Sequence, residues 1–466
     1  MTIAEGARFP PIRLAEALRS SLPLSAAFVA VAGAGVLIPL LDQPLLVFVP
    51  IGVAAALALV ARRIDLGIYF LIAATALNRY DFAVAGWNAK IENMAVLIVL
   101  VALTWRIASG RERSQRLPLA LLFGSLLAVN ILSSVLNSTD LYKSIRIVVR
   151  MGLAIATMYV ISTYVSDRRK LTAGLRALLI VGAAASAFGL FALAVWYLIG
   201  QDLGVQQNPI NNAVSPTGTL WEGNIFGSYV AGAAVLSGAL LLAPVRTVHR
   251  GLLSAVFALA LAALVLSLAR GAWVGFGAGS ILAVLFLRRA RFHVALAVVG
   301  VVAVTLMLVL RSDLPGVPQD VSARFATMPT IRADVNTVSR LNNVDLALAE
   351  WRSKPLLGWG TDGFHINHPE NLSALPIPQL GALYDTGLIG CVLLMAVIGA
   401  LLFRSVAAST RADDEATATI LGALIIAAIA QLVAFQATDA FWLGFIWVYF
   451  GLMLGAVRLI NEGARD

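Results

Sequence analysis

Apolar runs of membrane-crossing length fill most of this chain, separated by short charged or Pro/Gly/Asn-rich breaks. A helix needs about 20 apolar residues to cross a bilayer, fewer where it is broken or tilted, and reading runs against breaks predicts about fourteen spans. They begin near Leu24, Leu45, Leu66, Ile91, Pro118, Ile145, Leu175, Asn224, Leu252, Ala272, His293, Leu380, Ala416 and Ala440. One run, Leu252 to Leu287, is about 36 residues long and is broken by Arg270, in LVLSLARGAWVGFG. That length suits two short crossings with Arg270 at the turn between them. The pattern predicts an all-α polytopic transmembrane bundle in five stretches. These are a cytoplasmic segment (1–22), N-terminal helices (23–223), central helices with the Arg270 turn (224–310), an extracytoplasmic loop (311–379) and C-terminal helices (380–466).

Composition strengthens this reading. The chain is 60% hydrophobic and 13% charged, where soluble domains are roughly a quarter charged. The single cysteine, Cys391, excludes an intrachain disulfide and a cysteine-based metal site. Residues 1–22 are polar and mixed in charge with no small-residue cleavage site after a short apolar core, so the first span is expected to be an uncleaved anchor. The net charge of +9 belongs to membrane topology rather than to nucleic acid. Basic clusters lie at Arg62-Arg63, Arg106 to Arg116, Arg168 to Lys170, Arg246 to Arg250, Arg288 to Arg291 and Arg404 to Arg411. With both termini inside and an even number of crossings, every cluster falls on the cytoplasmic side, as the positive-inside rule requires.

The same threading sends Asn78–Lys90, Asn137–Ser144, Gln201–Gly223 and Arg311–Gln379 outside. The last, roughly 69 residues long, carries the amphipathic stretch LNNVDLALAEWRSKPLLGWG. With Leu341, Val344, Leu346, Leu348 and Trp351 as its apolar set, it reads as a helix on the membrane surface. Arg79, Lys90, Lys143, Arg146, Arg150, Arg270, Arg332 and Arg340 then violate the positive-inside bias. Arg146 and Arg150 share one helix face. Several guanidinium groups at one membrane face suit a polyanionic group, because each can fork onto phosphate oxygens. The plainer alternative pairs them with Asp140, Asp385, Glu222 or Asp439, or lets them snorkel to headgroups. His365 and His368, in GWGTDGFHINHPENLSALP, fall in the outer loop beside Asp362 and Glu370. Their flanking Gly and Pro predict loop rather than helix. Two histidines lacking a clear third ligand are a poor metal site, so no metal is expected. An imidazole there is better suited to taking a proton from an acceptor hydroxyl.

Four stretches occur in a telling order: GTLWEGNIFGSYVAG opening a span, the span-ending SLARGAWVG, then SRLNNVDLALAEWRSKPLLGWGTDGF in the long loop, and LYDTGLIG before another span. In this order and topology the chain, over roughly Pro216 to Phe403, resembles the O-antigen ligase/polymerase family, membrane glycosyltransferases with a shared polymerase-type C-terminal module. The resemblance implies a metal-independent inverting glycosyltransferase of the GT-C type with no cofactor. It implies a polyprenyl-diphosphate-linked glycan donor at the outer face of the bacterial inner membrane, with a glycan or a lipid as acceptor. By motif, Arg270 matches the Ser-x-x-Arg-Gly arginine, and Arg340 the arginine before the surface helix; both are expected on the donor diphosphate. A loop histidine often assists the acceptor in this family, and His368 is the nearest match. The family's His-Asn position, nine residues before the acidic position held here by Asp385, carries Pro376-Ile377; either the loop holds an insertion and His368 still reaches the site, or this chain works without that histidine.

Arg146 and Arg150 join the diphosphate set on charge and topology alone. His365, Glu222, Asn224, Asp385 and Arg79 complete the expected site. Polymerisation of surface-polysaccharide repeat units is the leading expectation. Ligation to a lipid A core or protein is the alternative within the class, and a flippase for the same lipid-linked glycan the alternative outside it. A transporter should carry ionisable groups at mid-membrane and internal repeats, and neither is evident.

Overall fold

The computed structural model describes residues 48–84, 87–112, 115, 117–207, 214–243, 247–286, 335–370, 375 and 377–463. The spans expected near Leu24 and His293 lie outside these. The helices are α1 (Phe48–Arg62), α2 (Ile64–Thr75), α3 (Ile91–Ala108), α4 (Ala120–Asn137), α5 (Leu141–Tyr164), α6 (Arg168–Ile199) and α7 (Gly223–Leu242). They continue with α8 (Arg250–Leu266), α9 (Arg270–Phe286), α10 (Val335–Trp351), α11 (Gly363–Asn367), α12 (Pro378–Ser409), α13 (Glu415–Ala434) and α14 (Gly444–Gly463). Eight of the described helices are long and apolar enough to cross a membrane, and α2, α8 and α9 are shorter apolar helices. The expectation of an all-α fold needs one amendment. Two antiparallel hairpins, β1 (Asp81–Val84) with β2 (Trp87–Lys90) and β3 (Val205–Gln207) with β4 (Val214–Pro216), sit between helices.

Apolar residues surround α7 and α14 on nearly every side, so both are buried in the centre of the bundle. Small residues set how closely neighbours approach. Gly271, Gly275 and Gly279 form an i, i+4, i+8 stripe on α9 that lies against Ala430 and Ala434 at the end of α13 and Ala437 in the turn after it. Added bulk at Gly279 would come within 2.9 Å of both Ala430 and Val235.

The break at Arg270 is real. Helix α8 ends at Leu266, Leu268 turns the chain with a left-handed φ of 55°, and Arg270 opens α9. The Ser267 hydroxyl and the Trp273 indole both donate to the Leu264 carbonyl, at 2.7 and 2.8 Å, satisfying a helix end that the turn would strand.

A second break shapes the opposite wall. In α12, Gly387 takes φ 67° and ψ −166°. The stretch 355–360 docks into this kink: Leu388 N donates to Pro355 O, Trp359 N to Tyr384 O and Gly360 N to Asp385 O, each at 2.9 Å. A broken helix is tolerated in a membrane protein when other protein groups satisfy its freed backbone, and the 355–360 segment does so here.

Helix α10 is present and starts earlier than its apolar pattern suggested. Its buried face centres on Asn343 and Ala347 and packs on α12, whereas Leu341 stays 50% exposed. One face of this helix is thus docked on protein, while Val338 and Leu341 remain exposed. The expected loop around His365 is instead the short helix α11.

Connections 138–140, 200–207, 214–222, 267–269 and 435–443, both hairpins and the 355–370 stretch gather at one end of the bundle. Arg62, Arg63, Arg111, Arg168, Arg169, Lys170, Arg250 and Arg411 lie at the other.

Candidate functional site

Helices α4, α5, α14 and α12 pack around in a ring, each touching the next. Within its mouth is a cleft with about 720 Å³ of non-protein space, part of it open to solvent. Its depth is apolar, lined by Leu126, Met151 and Leu394, and its rim is polar, lined by Asn130, Thr361, Asp362, His365, Asp385 and Asp439. Polar groups converging over an apolar floor are the ordinary anatomy of a ligand site.

Asp385 builds the rim. Its carboxylate accepts the backbone N–H groups of Asp362 (2.8 Å) and Gly363 (3.0 Å), the start of α11. Its carbonyl accepts the Ser133 hydroxyl at 2.7 Å. Both carboxylate oxygens are thereby engaged, so Asp385 holds the start of α11 onto α4 and α12. Thr361 adds a second tie, donating to Asn130 Oδ1 at 2.9 Å and giving its carbonyl to Ser144 at 2.7 Å.

His365 then reaches the cleft from α11. Its Nδ1 lies 2.8 Å from Asp362 Oδ1. The Asp362 hydrogen bond raises its pKa to about 9 against the opposing effect of burial, with Asp362, Asp439 and Asp385 adding attraction for the proton. His365 is therefore an imidazolium at neutral pH.

Asp439 stands across from it in the turn between α13 and α14. Protein surrounds it, and this crowding raises its pKa; His365 and Arg150 oppose the rise, while Asp362 and Glu222 add to it. The residue is nevertheless exposed, and it lines the cleft.

The two motif arginines meet at the same turn. Arg340 Nη1 donates to the Ala437 carbonyl at 2.8 Å. Gly271, next to Arg270, lies against Ala437 Cβ with no room for a side chain. Arg270, Arg340 and Asp439 therefore flank one turn, although they lie 70 to 169 positions apart in sequence. Arg150, from α5, is electrostatically coupled to Asp439 and to the buried Glu92. It lines a second, smaller cavity with Glu92, Asn93 and Trp442. Trp442 also lines the main cleft, so it joins the two.

Other expected residues fall elsewhere. Arg79 pairs with Asp202 at 3.5 Å and reaches Thr217 Oγ1 at 3.4 Å, tying the first hairpin to the second. That is the plain structural reading, with a partner the sequence analysis did not name. Arg146 lies over the Tyr142 ring at 5.9 Å. Asn224 donates to Glu222 Oε1 at 2.8 Å, and Glu222 acts on the site through its charge near Asp439. His368 does not line the cleft. Its Nε2 lies 3.0 Å from Glu350 Oε2, which also accepts the Tyr384 hydroxyl at 2.6 Å, and its Nδ1 lies 3.5 Å from Glu370. Burial pushes the Glu350 pKa up, but the Tyr384 and His368 hydrogen bonds outweigh it and hold the carboxyl below its usual value.

Sequence reasoning missed Trp442, Asn130 and Glu92, and took Asp439 only as a possible counter-charge. The available signal was the polar pair in ATDAFWLGF at the start of the last span.

Residues 255–395 match the family described as O-antigen ligase. The chain carries a domain of the O-antigen ligase/polymerase family. The match begins in α8 and ends in α12, so the O-antigen ligase domain holds Arg270, Arg340, Asp362, His365, His368 and Asp385. Arg150, on α5, and Asp439 and Trp442, in the turn between α13 and α14, come from outside the match. No curated protein sequence matches the chain. Family and apolar helices together make this a multi-pass membrane protein, and the domain supports a ligase- or polymerase-type activity.

Proposed function

We propose that this protein is a GT-C-type inverting glycosyltransferase that moves a glycan from a polyprenyl diphosphate carrier to an acceptor hydroxyl, most simply the end of another lipid-linked repeat unit. The observation that carries the proposal is that Arg340 and the Arg270–Gly271 pair meet the chain at Ala437, two positions before Asp439, while the charges of Arg150 and of the His365 imidazolium act on Asp439 itself. The cations suit the donor diphosphate. As the sugar–phosphate bond breaks, the bonding pair leaves with the diphosphate, and fixed guanidinium groups stabilise that charge without a metal. The acceptor oxygen bonds to the anomeric carbon, and its proton passes to Asp439, whose raised pKa makes it the better base.

Basic residues crowd the opposite end of the bundle, which by the positive-inside rule faces the cytoplasm of a bacterial inner membrane. The site then opens on the extracytoplasmic side. A second reading, ligation to a lipid A core, is favoured by the description of the matched family.

The test is incubation of the purified protein with lipid-linked glycan, with and without lipid A. A ladder of longer lipid-linked chains means polymerase, and transfer to lipid A means ligase. Either product should survive EDTA and disappear in Arg270→Ala; neither product from active preparations would overturn the proposal.

A further inference from the structure

Trp442 is unexplained by the chemistry above. It stacks on Trp447 with ring centroids 5.4 Å apart and planes 16° from parallel, and Phe441 meets it edge-on at 4.9 Å. Trp447 is fully buried, so it fixes the plane of the Trp442 indole from behind. No second ring and no cation stacks on Trp442 among the described residues. The indole is half-buried and forms wall in both cavities. A tryptophan serving as a membrane-interface anchor would face lipid instead.

The groups beside it are hydrogen-bonding groups with capacity to spare. Asp439 lies three positions earlier in the same turn, in the main cleft. Arg150 and Asn93 line the smaller cavity with Trp442, and neither makes a hydrogen bond or ion pair with another described residue. An aromatic wall shared by a cleft that holds a carboxylate and a smaller cavity that holds a carboxamide and a guanidinium matches a pyranose ring. The sugar's C–H face is slightly positive and lies against the negative π face of the indole, while its equatorial hydroxyls reach the polar edge. An apolar lipid tail would leave those three polar groups desolvated without partners.

We infer that the free face of Trp442 is a carbohydrate subsite that seats one pyranose ring of the glycan beside Asp439. The assignment deepens the transferase reading and rests on it for the glycan's identity, but sugar binding is measurable without transfer.

The probe is the oligosaccharide released by mild acid from the lipid-linked glycans of the source membranes. It is titrated against the full-length protein in nanodiscs, with saturation-transfer NMR and tryptophan fluorescence as readouts. Wild type and Trp442→Phe are expected to bind it, with Trp442→Leu weakened about tenfold, the scale of one lost aromatic contact. Asn93→Ala, which leaves the aromatic stack intact, is expected to weaken binding too and covers the case in which Trp442→Leu fails to fold. With lipid-linked donor, Trp442→Leu should raise KM more than it lowers kcat. Wild-type affinity in both Trp442→Leu and Asn93→Ala, or no binding by wild type, would overturn the subsite. Trp442-dependent binding without any transfer would instead keep the subsite and sink the transferase reading.

Discussion

His365 Nδ1 and Asp362 Oδ1 lie 2.8 Å apart across one turn of α11, and this contact decides the charge of the cleft. The histidine pKa is raised to about 9, so the charged form is present at neutral pH and is lost as pH rises through about 9. Transfer should fall along an alkaline limb near that pH. Asp362→Asn removes the first cause of the shift and should move the limb down toward the ordinary histidine value of about 6.5. A limb that stays in place in Asp362→Asn and in His365→Gln would show that another group titrates.

Asp439 is accessible and has a raised pKa. Its carboxylate form is lost as pH falls through a value above the usual aspartate range, which gives the acid limb. Asp439→Asn should lower kcat by about 10²–10⁴-fold, the usual worth of a general base, with donor binding kept. Near-wild-type turnover would remove Asp439 from the chemistry.

Two arginines separate function from scaffold. Arg79 and Asp202 form a partly exposed pair, 31% and 48% accessible, so Arg79→Ala should cost under about 1 kcal/mol and leave transfer intact. Arg150→Ala should weaken donor binding about 10–100-fold, the loss of one charge-assisted phosphate contact. Comparison of KM for the lipid-linked donor across both variants decides it; equal behaviour would contradict the site as drawn.

Gly387 has a backbone conformation open almost only to glycine, and a Cβ there would run into the Leu356 backbone. Gly387→Ala should cost about 1–3 kcal/mol in strain alone and loosen the 355–360 segment from α12. Thermal unfolding in detergent, together with protease cleavage near Leu356, reads both effects.

Topology is accessible through cysteine labelling, since Cys391 is the single native cysteine. In a Cys391→Ser background, Leu356→Cys lies on the site end, with 60% of the leucine exposed, and Arg411→Cys at the basic end. A membrane-impermeant maleimide added to intact spheroplasts should label position 356 and spare 411. The reverse pattern would turn the protein over.

How much of this was legible along the chain depends on the range of the interaction. Hydropathy runs, basic clusters and the Arg270 break are local, so the helical class, most helix starts and the turn before α9 follow from the order of residues. The kink at Gly387 was not legible, because LYDTGLIG looks like uninterrupted span until 355–360 supplies its missing backbone partners. His368 and His365 show the same limit. They differ by three positions, yet Glu350 holds one away from the cleft and Asp362 holds the other at its rim.

The sequence by itself determined that this is a membrane-embedded helical protein with arginines set between its apolar runs, because hydrophobicity and charge act residue by residue. Only the tertiary structure decided which of those charges work together. Arg340 reaches Ala437 beside Gly271, and Arg150 acts on Asp439 through its charge, because helix packing brings together residues 97 and 289 positions apart and leaves no local period to read.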